Sequence, residues 1–264
     1  MTETADAGTA LAATIADKQV QRGTATAFDL VSSMAGEFAK ALPPELSPEK
    51  FVRDAVTELR QSPDLQACTA ESLLGAFMTA ARLGLEVGGH LGHFYLTPRN
   101  VKNKRTGQHE KQVVPIVGYR GLMELARRSG RVGAVGADMV REGDVFRQGF
   151  DSTRGGRFTI WEPVDYEETR EIVGVLAWAE VGNGIQARYL PLAQVMERKG
   201  RGAAGDSGPW RTDREAMIRK TGLRALAADL PQSTALALAR QLDEQVQTFT
   251  PGETLDVGTG ELTA

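Results

Sequence analysis

The chain has 264 residues, of which 41% are hydrophobic and 25% charged, and its formal net charge is −3 at neutral pH. This length predicts one domain with tails, whose core needs neither disulfides nor a metal for stability. The single cysteine, Cys68, excludes a disulfide framework and a cysteine-based zinc site, and no run approaches the roughly 18 apolar residues of a membrane span.

The N-terminal segment, residues 1–27, is rich in Ala and Thr and has no strong apolar period, which predicts a flexible arm. It lacks a basic stretch followed by an apolar one, so we expect no secretory signal and a cytoplasmic location in a bacterial cell. An apolar period over residues 28–39 predicts a short helix. A second helix is predicted to begin at Ser47 and Pro48, because serine caps helices and proline fits the first helical turn. A third spans Ala70–Leu83.

Four glycines between residues 84 and 92 end that third helix. Residues 93–97 and 112–117 have the character of strands, and the polar, basic tip between them predicts a long hairpin. Residues 118–130 then follow a helical period that closes at a glycine.

The remaining elements predict an α+β domain over residues 28–246 rather than regular alternation of strands and helices. Strands are predicted near residues 135–140, 158–161, 172–181 and 185–190, followed by a helix over 192–199. Thr212 and Glu215 form a predicted capping box for a helix that reaches about Leu230. A last helix covers residues 233–246, and the acidic residues 247–264 are predicted to be disordered.

The charges are distributed unevenly along the chain. Between Arg99 and Arg131 nine basic residues stand against two acidic ones, whereas after Arg224 six acidic residues stand against one basic residue. A basic middle with an acidic tail is typical of a protein that binds a polyanion, despite the negative net charge. We therefore expect N-terminal helices, a basic β-hairpin, a small antiparallel sheet and C-terminal helices that together form a DNA-binding groove.

The candidate DNA-binding residues lie on the hairpin, the helix after it, the glycine-rich loop and the late basic helix. They are Arg99, Lys102, Lys104, Lys111, Tyr119, Arg120, Arg127, Arg128, Lys199, Arg201, Trp210, Arg219, Lys220 and Arg224. Lysine and arginine neutralise phosphates, and an aromatic ring can stack on a base. Each group also has a structural explanation. The hairpin charges could only keep the protein soluble, and the arginines of the following helix could pair with Glu124. The stems of Lys220 and Arg224 could cover the core, and Trp210 could be buried.

Two further patterns in the sequence bear on enzymatic chemistry. The segment Gly200–Gly205 matches G-x-G-x-x-G, but it follows a basic amphipathic stretch rather than a buried strand, so a dinucleotide site is not predicted. No phosphate-binding P-loop motif occurs, and we expect no use of ATP. The acidic residues around Asp144 and Glu162 leave a two-metal nuclease open as an alternative, although exposed charge explains them as well. A passive nucleic-acid-binding module is the other alternative.

Seven short segments, in this order and spacing, resemble the RecT family of phage single-strand annealing proteins. They are Ser72–Leu73, Ala80–Glu86, Leu91–Pro98, Ile116–Leu122, Ala126–Gly130, Gly208–Trp210 and Met217–Thr221. The chain departs from the family at Ile160–Trp161, where a histidine is frequent, and at Gly222, where alanine is usual.

The resemblance implies annealing of complementary single strands without ATP, and oligomers, as rings or helical filaments, that hold the strand and the annealed duplex. It also implies a phage 5′-to-3′ exonuclease as partner, no catalytic metal and no nuclease activity, with Mg²⁺ promoting the reaction. A host single-strand DNA-binding protein is a further candidate partner, for the acidic tail.

Overall fold

The computed structural model describes residues 26–88, 90–102, 107–154, 156–165, 169–200, 209–248, 254–255 and 262–263. Its helices are α1 (Ala27–Ser33), α2 (Ala35–Ala41), α3 (Pro48–Gln61), α4 (Pro63–Gln66), α5 (Ala70–Leu83), α6 (Tyr119–Arg128), α7 (Leu192–Gly200), α8 (Pro209–Thr212), α9 (Arg214–Ala227) and α10 (Thr234–Thr248). Its strands are β1 (Phe94–Lys102), β2 (His109–Val117), β3 (Val132–Arg141), β4 (Val145–Asp151), β5 (Gly156–Glu162), β6 (Ile172–Val181), β7 (Gly184–Pro191), β8 (Thr254–Leu255) and β9 (Leu262–Thr263). This order confirms the predicted α+β class.

The N-terminal region contains two short helices where one was predicted over residues 28–39. The break lies at Met34, and it is flanked by Ser33 and Gly36, both weak helix formers. The first helix starts one residue earlier than predicted, because Thr26 forms a capping box with Asp29. The rest of the predicted arm, residues 1–25, lies outside the described residues.

The larger hydrophobic core joins the N-terminal helices, the hairpin of β1 and β2, and helices α6, α9 and α10. Phe38 of α2 meets Phe51 of α3 edge to face, with ring centroids 5.3 Å apart. Helix α2 also contacts α5, whose bounds match the prediction. The N-terminal cap of α3 is also confirmed, since the Ser47 hydroxyl accepts a hydrogen bond from the Lys50 N–H. Segments from both ends of the chain therefore share one core.

The predicted hairpin is confirmed and extends further than expected toward its tip. Strands β1 and β2 pair from Phe94 opposite Val117 to Lys102 opposite His109. One side of the hairpin packs on α5 and α10 through β2. Residues 103–106 of the tip lie outside the described residues.

A three-stranded antiparallel sheet of order β3-β6-β7 forms the second half of the fold. One face carries a smaller core with α7 and α9, in which Val175 meets Val195 and Ile218. Gly222 of α9 lies on that face: a Cβ added there would be 3.0 Å from a Val175 methyl group. An alanine at position 222 would therefore press on Val175, which gives a local reason for the departure from the family at this residue.

Strands β4 and β5 form a separate two-stranded arm between β3 and β6. The sequence predicted β5 but not β4, because Arg147, Gln148 and Gly149 interrupt the apolar alternation that identifies a strand. The two strands pair from Val145 opposite Glu162 to Asp151 opposite Gly156.

The predicted capping box of the late basic helix is wrong. Thr212 belongs to α8, and Asp213 precedes α9 without a side-chain capping bond. Glu215 instead accepts a hydrogen bond from Arg141, at 2.8 Å, because the buried Arg141 guanidinium needs a carboxylate partner. The apolar stripe of Ala216, Leu223, Ala227 and Leu230 predicts the core-facing side of this helix. Ala216 is nevertheless exposed, since it lies in the first turn at the edge of the buried face.

The C-terminal boundary differs slightly from the prediction. Helix α10 reaches Thr248, two residues into the predicted tail, and β8 pairs with β9 inside that tail. The other residues of the tail lie outside the described part of the chain. None of the described helices has the length and apolar character that crossing a bilayer requires.

Candidate nucleic-acid interface

The start of α6 rests directly on the chain that leads into β1. A Cβ added at Gly118 would lie 2.0 Å from the Gly92 carbonyl oxygen and 3.1 Å from the Tyr95 ring. Because only glycine permits this approach, the backbone fixes the first turn of α6 against the base of the hairpin. The side chains of Tyr119 and Arg120 therefore emerge beside Tyr95.

These side chains form an aromatic and basic group. The Arg120 Nε donates to the Tyr119 hydroxyl at 3.2 Å, and the guanidinium lies 5.9 Å from the Tyr119 ring centroid. A Cβ at Gly92 would be 2.8 Å from the Tyr95 hydroxyl and 3.5 Å from Arg120 Cδ, so the glycine separates these two side chains. Tyr95 is 41% exposed. The sequence analysis missed it, although an aromatic residue that alternates with the core residues Phe94 and Leu96 marks the outer face of a strand.

Arg99 lies on the same face of β1 as Tyr95, because side chains of a strand alternate. Its Nε is buried and has no hydrogen-bond partner within the described residues. A buried donor without an acceptor costs about 1–3 kcal/mol, which a bound phosphate oxygen would offset. We call Tyr95, Arg99, Tyr119 and Arg120 the hairpin–helix cluster.

The other predicted hairpin residues do not join this cluster. Lys102 and Lys111 lie on the opposite face of the hairpin by strand alternation. Lys102 is exposed, whereas the Lys111 ammonium is 2.6 Å from the Asp64 carboxylate at the end of α4. Lys104 lies outside the described residues.

The two arginines at the end of α6 differ in their environment. Arg128 pairs with Glu124 at 3.1 Å and also donates to the Leu83 carbonyl at 3.3 Å. Arg127 is exposed, and its side chain has neither a hydrogen bond nor an ion pair among the residues that the structure describes. The salt-bridged surface that the sequence left open as an alternative thus applies to Arg128 and not to Arg127.

The three cations predicted on helix α9, Arg219, Lys220 and Arg224, differ in their environments. The Arg224 guanidinium bonds the Asp243 carboxylate of α10, with Nε 2.8 Å from Oδ2, and Asp243 is buried. Burial lowers the pKa of Arg224 to about 10, so the group stays charged at neutral pH. Arg219 is exposed and has no such partner in the described ranges.

Lys220, one turn before Arg224, is the cation least satisfied by the protein. It is half-buried, and no hydrogen bond or ion pair reaches its ammonium from the described part of the chain. Burial, followed by the neighbouring charge of Arg224, lowers the pKa of Lys220. A half-buried ammonium without a counterion is costly, and an anionic ligand would remove that cost.

Lys199 and Trp210 lie together at the other end of the predicted site. The Lys199 ammonium is 5.8 Å from the Trp210 ring centroid, and the half-buried indole packs against the smaller core. The indole therefore already contacts the smaller core and the Lys199 ammonium. Arg201 lies outside the described residues.

The packing of helices brings two of these groups near each other. Helix α9 contacts α6, and α10 contacts both α6 and β2. The hairpin–helix cluster and the cations of α9 thus stand on adjoining elements, while Trp210 is joined to them through the contact of α8 with α9.

The acidic residues considered for metal chemistry are arranged differently. The Asp144 side chain is 1% exposed and accepts from Arg170 at 2.6 Å, from the Trp161 indole at 2.9 Å and from the backbone N–H groups of Arg141 and Val164. Burial raises the pKa of Asp144, but these hydrogen bonds outweigh burial and hold the pKa at about 2.

Glu162 is exposed at the end of β5. Within the described ranges, no group of three or more His, Cys, Asp or Glu residues is arranged to hold a metal ion. Asp144 therefore acts as a buried acceptor that joins the base of the arm to the sheet.

The sequence of this chain is similar to those of known proteins. A family model described as the RecT family matches residues 49–253. The chain is 37% identical over 214 residues to a protein named Protein RecT from Escherichia coli (strain K12), and the match covers 81% of this chain and 77% of that protein. It is 28% identical over 171 residues to an uncharacterized protein, YqaK, from Bacillus subtilis (strain 168), with 61% of this chain and 52% of that protein covered.

Proposed function

The chain belongs to the RecT family, and from that membership we propose that it binds single-stranded DNA and anneals complementary strands in homologous recombination, without ATP. The family match supports recombination and annealing. The residues that carry the proposal within this chain are the cations of α6 and α9.

The observation that carries DNA binding is the environment of Lys220. Its ammonium is half-buried and lacks a counterion within the described residues, while Arg224 beside it is fully engaged with Asp243. A phosphate of a DNA backbone would pair with Lys220 at little entropic cost, because the packed helix already restrains the lysine stem. The exposed Arg127 and Arg219 and the hairpin–helix cluster supply further phosphate contacts on adjoining elements.

Annealing places one requirement on such a site. The protein must hold a strand by its backbone while the base edges stay free to pair. Contacts to phosphates carry no sequence information, so a protein that grips the backbone accepts any strand and its complement. The cations named above meet this requirement, since lysine and arginine contact phosphates without reading bases.

We further propose that several copies act together along the strand, as a ring or a helical filament, and hold the annealed duplex as well. Each copy then adds a few phosphate contacts, so the whole assembly binds tightly. A phage 5′-to-3′ exonuclease that makes the single strands, and a host single-strand DNA-binding protein, are the proposed partners in the bacterial cytoplasm. Mg²⁺ promotes the reaction in this proposal without acting as a catalytic ion.

The two alternatives differ from this proposal in what they do to DNA. A nuclease using Asp144 and Glu162 would need Asp144 free to bind a metal, yet its oxygens already accept from Arg170, Trp161 and two backbone groups. A passive binding module would hold single strands without speeding their pairing.

The test is a binding titration with end-labelled single-stranded and duplex oligonucleotides across a range of salt concentrations, with Mg²⁺ present. We expect steep weakening of single-strand binding with salt, because phosphate contacts release counterions, and labelled strands of unchanged length. Shortened strands would favour the nuclease, and a lack of salt dependence would contradict the phosphate-binding site.

A further inference from the structure

The arm of β4 and β5 presents aromatic residues on one of its faces. Opposed residues of an antiparallel pair share a face, and Phe146, Gln148 and Phe150 of β4 are opposite Trp161, Thr159 and Arg157 of β5. Phe150 is 73% exposed, the highest value among the large hydrophobic residues described as exposed. The Phe150 ring therefore contributes little to the packing of the arm.

This face continues onto the outer face of the three-stranded sheet. The Phe146 ring lies 4.2 Å from the Tyr189 ring, measured between centroids. Tyr189 is opposite Leu176, and its side chain therefore lies on the face away from Val175 and Ala177, where Gly222 of α9 packs. Trp178, two residues after Leu176, shares the outer face.

Two glycines hold these rings close to the sheet. A Cβ added at Gly136 would lie 2.6 Å from Trp178 Cζ2, and one added at Gly174 would lie 2.4 Å from Tyr189 Cε2. The Trp178 indole also donates to Asp138 at 2.7 Å. Each ring therefore packs against a backbone glycine on one side. Both rings are also partly exposed to solvent.

We infer that Phe146, Phe150, Trp178 and Tyr189, with Arg157 beside Phe150, form an aromatic face that stacks bases of a single DNA strand, apart from the cations of α6 and α9. Stacking uses the flat surface of a base and is therefore indifferent to sequence. It leaves the pairing edge free, as annealing requires. The inference rests on the proposed function for the identity of its ligand.

The spacing of the rings sets how far apart on a strand their bases lie. Phe146 and Phe150 are four residues apart in one strand, which places them about 13 Å apart. A stacked strand rises about 3.4 Å per base, so the two rings would contact bases about four positions apart. Arg157, opposite Phe150 and exposed, can meet the phosphate of the outer base.

A second copy of the chain is the alternative occupant of this face. Interfaces between copies have a continuous apolar centre. Here the hydrogen-bonded pair Gln148 and Thr159, at 3.1 Å, separates Phe150 from Phe146, so rings and polar groups alternate. That alternation favours nucleic acid.

The experiment compares the affinity of the full chain for a dT oligonucleotide with its affinity for an abasic oligonucleotide of the same length and charge. We expect the wild type to prefer dT by about 5- to 150-fold for each base that stacks on the face. Phe150→Ala should lose the share of that preference that one stacked base contributes and keep its affinity for the abasic strand, and Phe150→Trp should retain the full preference.

Phe158→Ala is the matched control, because Phe158 lies on the opposite face of the same arm, with its ring over Gly149. It should keep the preference for dT. Sedimentation of each variant without DNA shows whether its oligomeric state has changed.

Equal binding of both strands by the wild type, or an unaltered preference in Phe150→Ala, overturns the stacking face. A changed oligomeric state of Phe150→Ala with unaltered preference assigns the face to contacts between copies and overturns it as well. If the protein binds neither oligonucleotide, the proposed function itself fails. If the protein binds the dT and abasic oligonucleotides equally but still accelerates annealing, the stacking face is wrong and the proposed function stands.

Discussion

The Arg224 guanidinium is bonded to the Asp243 carboxylate across the contact of α9 with α10, with Nε 2.8 Å from Oδ2. Lys220, one turn earlier on α9, has no such partner among the described residues. Two cations that look equivalent in the sequence therefore have different environments. Arg224 holds two helices together, and Lys220 remains available to a ligand.

Removal of the Asp243 carboxylate should destabilise the fold. In Asp243→Ala the buried Arg224 charge loses its partner, and we expect a loss of about 3–5 kcal/mol in the free energy of unfolding, measured by urea denaturation. The control is Glu244→Ala, since Glu244 is exposed on the same helix and pairs with Arg240. Equal stability of the two variants would show that the pair of Arg224 and Asp243 is not structural.

Neutralising Lys220 should weaken DNA binding without weakening the fold. Lys220→Met keeps the aliphatic stem and removes the charge, so we expect single-strand affinity to fall about tenfold and the melting temperature to stay equal or rise. Lys40→Met, which removes an exposed lysine paired with Glu37, should change neither. A variant that melts earlier but binds DNA normally would assign Lys220 to the fold.

The lowered pKa of Lys220 gives a second readout of the same residue. A lysine whose folded-state pKa lies below its ordinary 10.5 binds fewer protons when folded. The free energy of unfolding should therefore rise with pH between the lowered pKa of Lys220 and 10.5, because deprotonation removes the cost of burying the charge. Subtracting the stability curve of Lys220→Met from that of the wild type should isolate this rise, and a flat difference would contradict it.

The two arginines of α6 that have no carboxylate partner among the described residues, Arg120 and Arg127, should contribute to the salt dependence of binding. Arg120→Ala and Arg127→Ala should each flatten the slope of log affinity against log salt by about one unit, because each removes one phosphate contact. Arg60→Ala is the control, an exposed arginine in the last turn of α3. Slopes that match the control would place both arginines outside the interface.

Asp144 should control acid stability rather than catalysis. Its pKa is about 2 instead of 3.8, so its carboxylate contributes about 2 kcal/mol that is present above pH 3.8 and is lost as the pH falls through about 2. Asp144→Asn should lower stability at neutral pH by a similar amount and lack this acid-dependent step. If the wild type and Asp144→Asn lose the same stability as the pH falls through about 2, the hydrogen bonds to Asp144 do not stabilise its charged form.

Much of the fold follows from local signals in the sequence. The cap at Ser47, the bounds of α5 and the hairpin are each specified by a few neighbouring residues, and they appear as predicted. The elements that were missed depend on distant partners. Glu215 carries a capping pattern but is engaged by Arg141, 74 residues away, and β4 forms only because β5 supplies its pairing.

The candidate site shows the same division. Composition and helical period were enough to select candidate DNA-binding residues. They could not show which of these residues form ion pairs within the protein. The partners of Lys111 and Arg224, namely Asp64 and Asp243, lie 47 and 19 residues away. The outward face of Tyr95 follows from its alternation with Phe94 and Leu96, but its position beside Arg120 depends on how α6 packs at the base of the hairpin.

The central claim is most directly tested by the rate at which two complementary, fluorescently labelled oligonucleotides pair in the presence of the full chain and without any nucleotide triphosphate. We predict pairing well above the spontaneous rate, a smaller acceleration with Lys220→Met, and no change when ATP is added. Binding of the strands without acceleration, or acceleration only with ATP, would contradict the account.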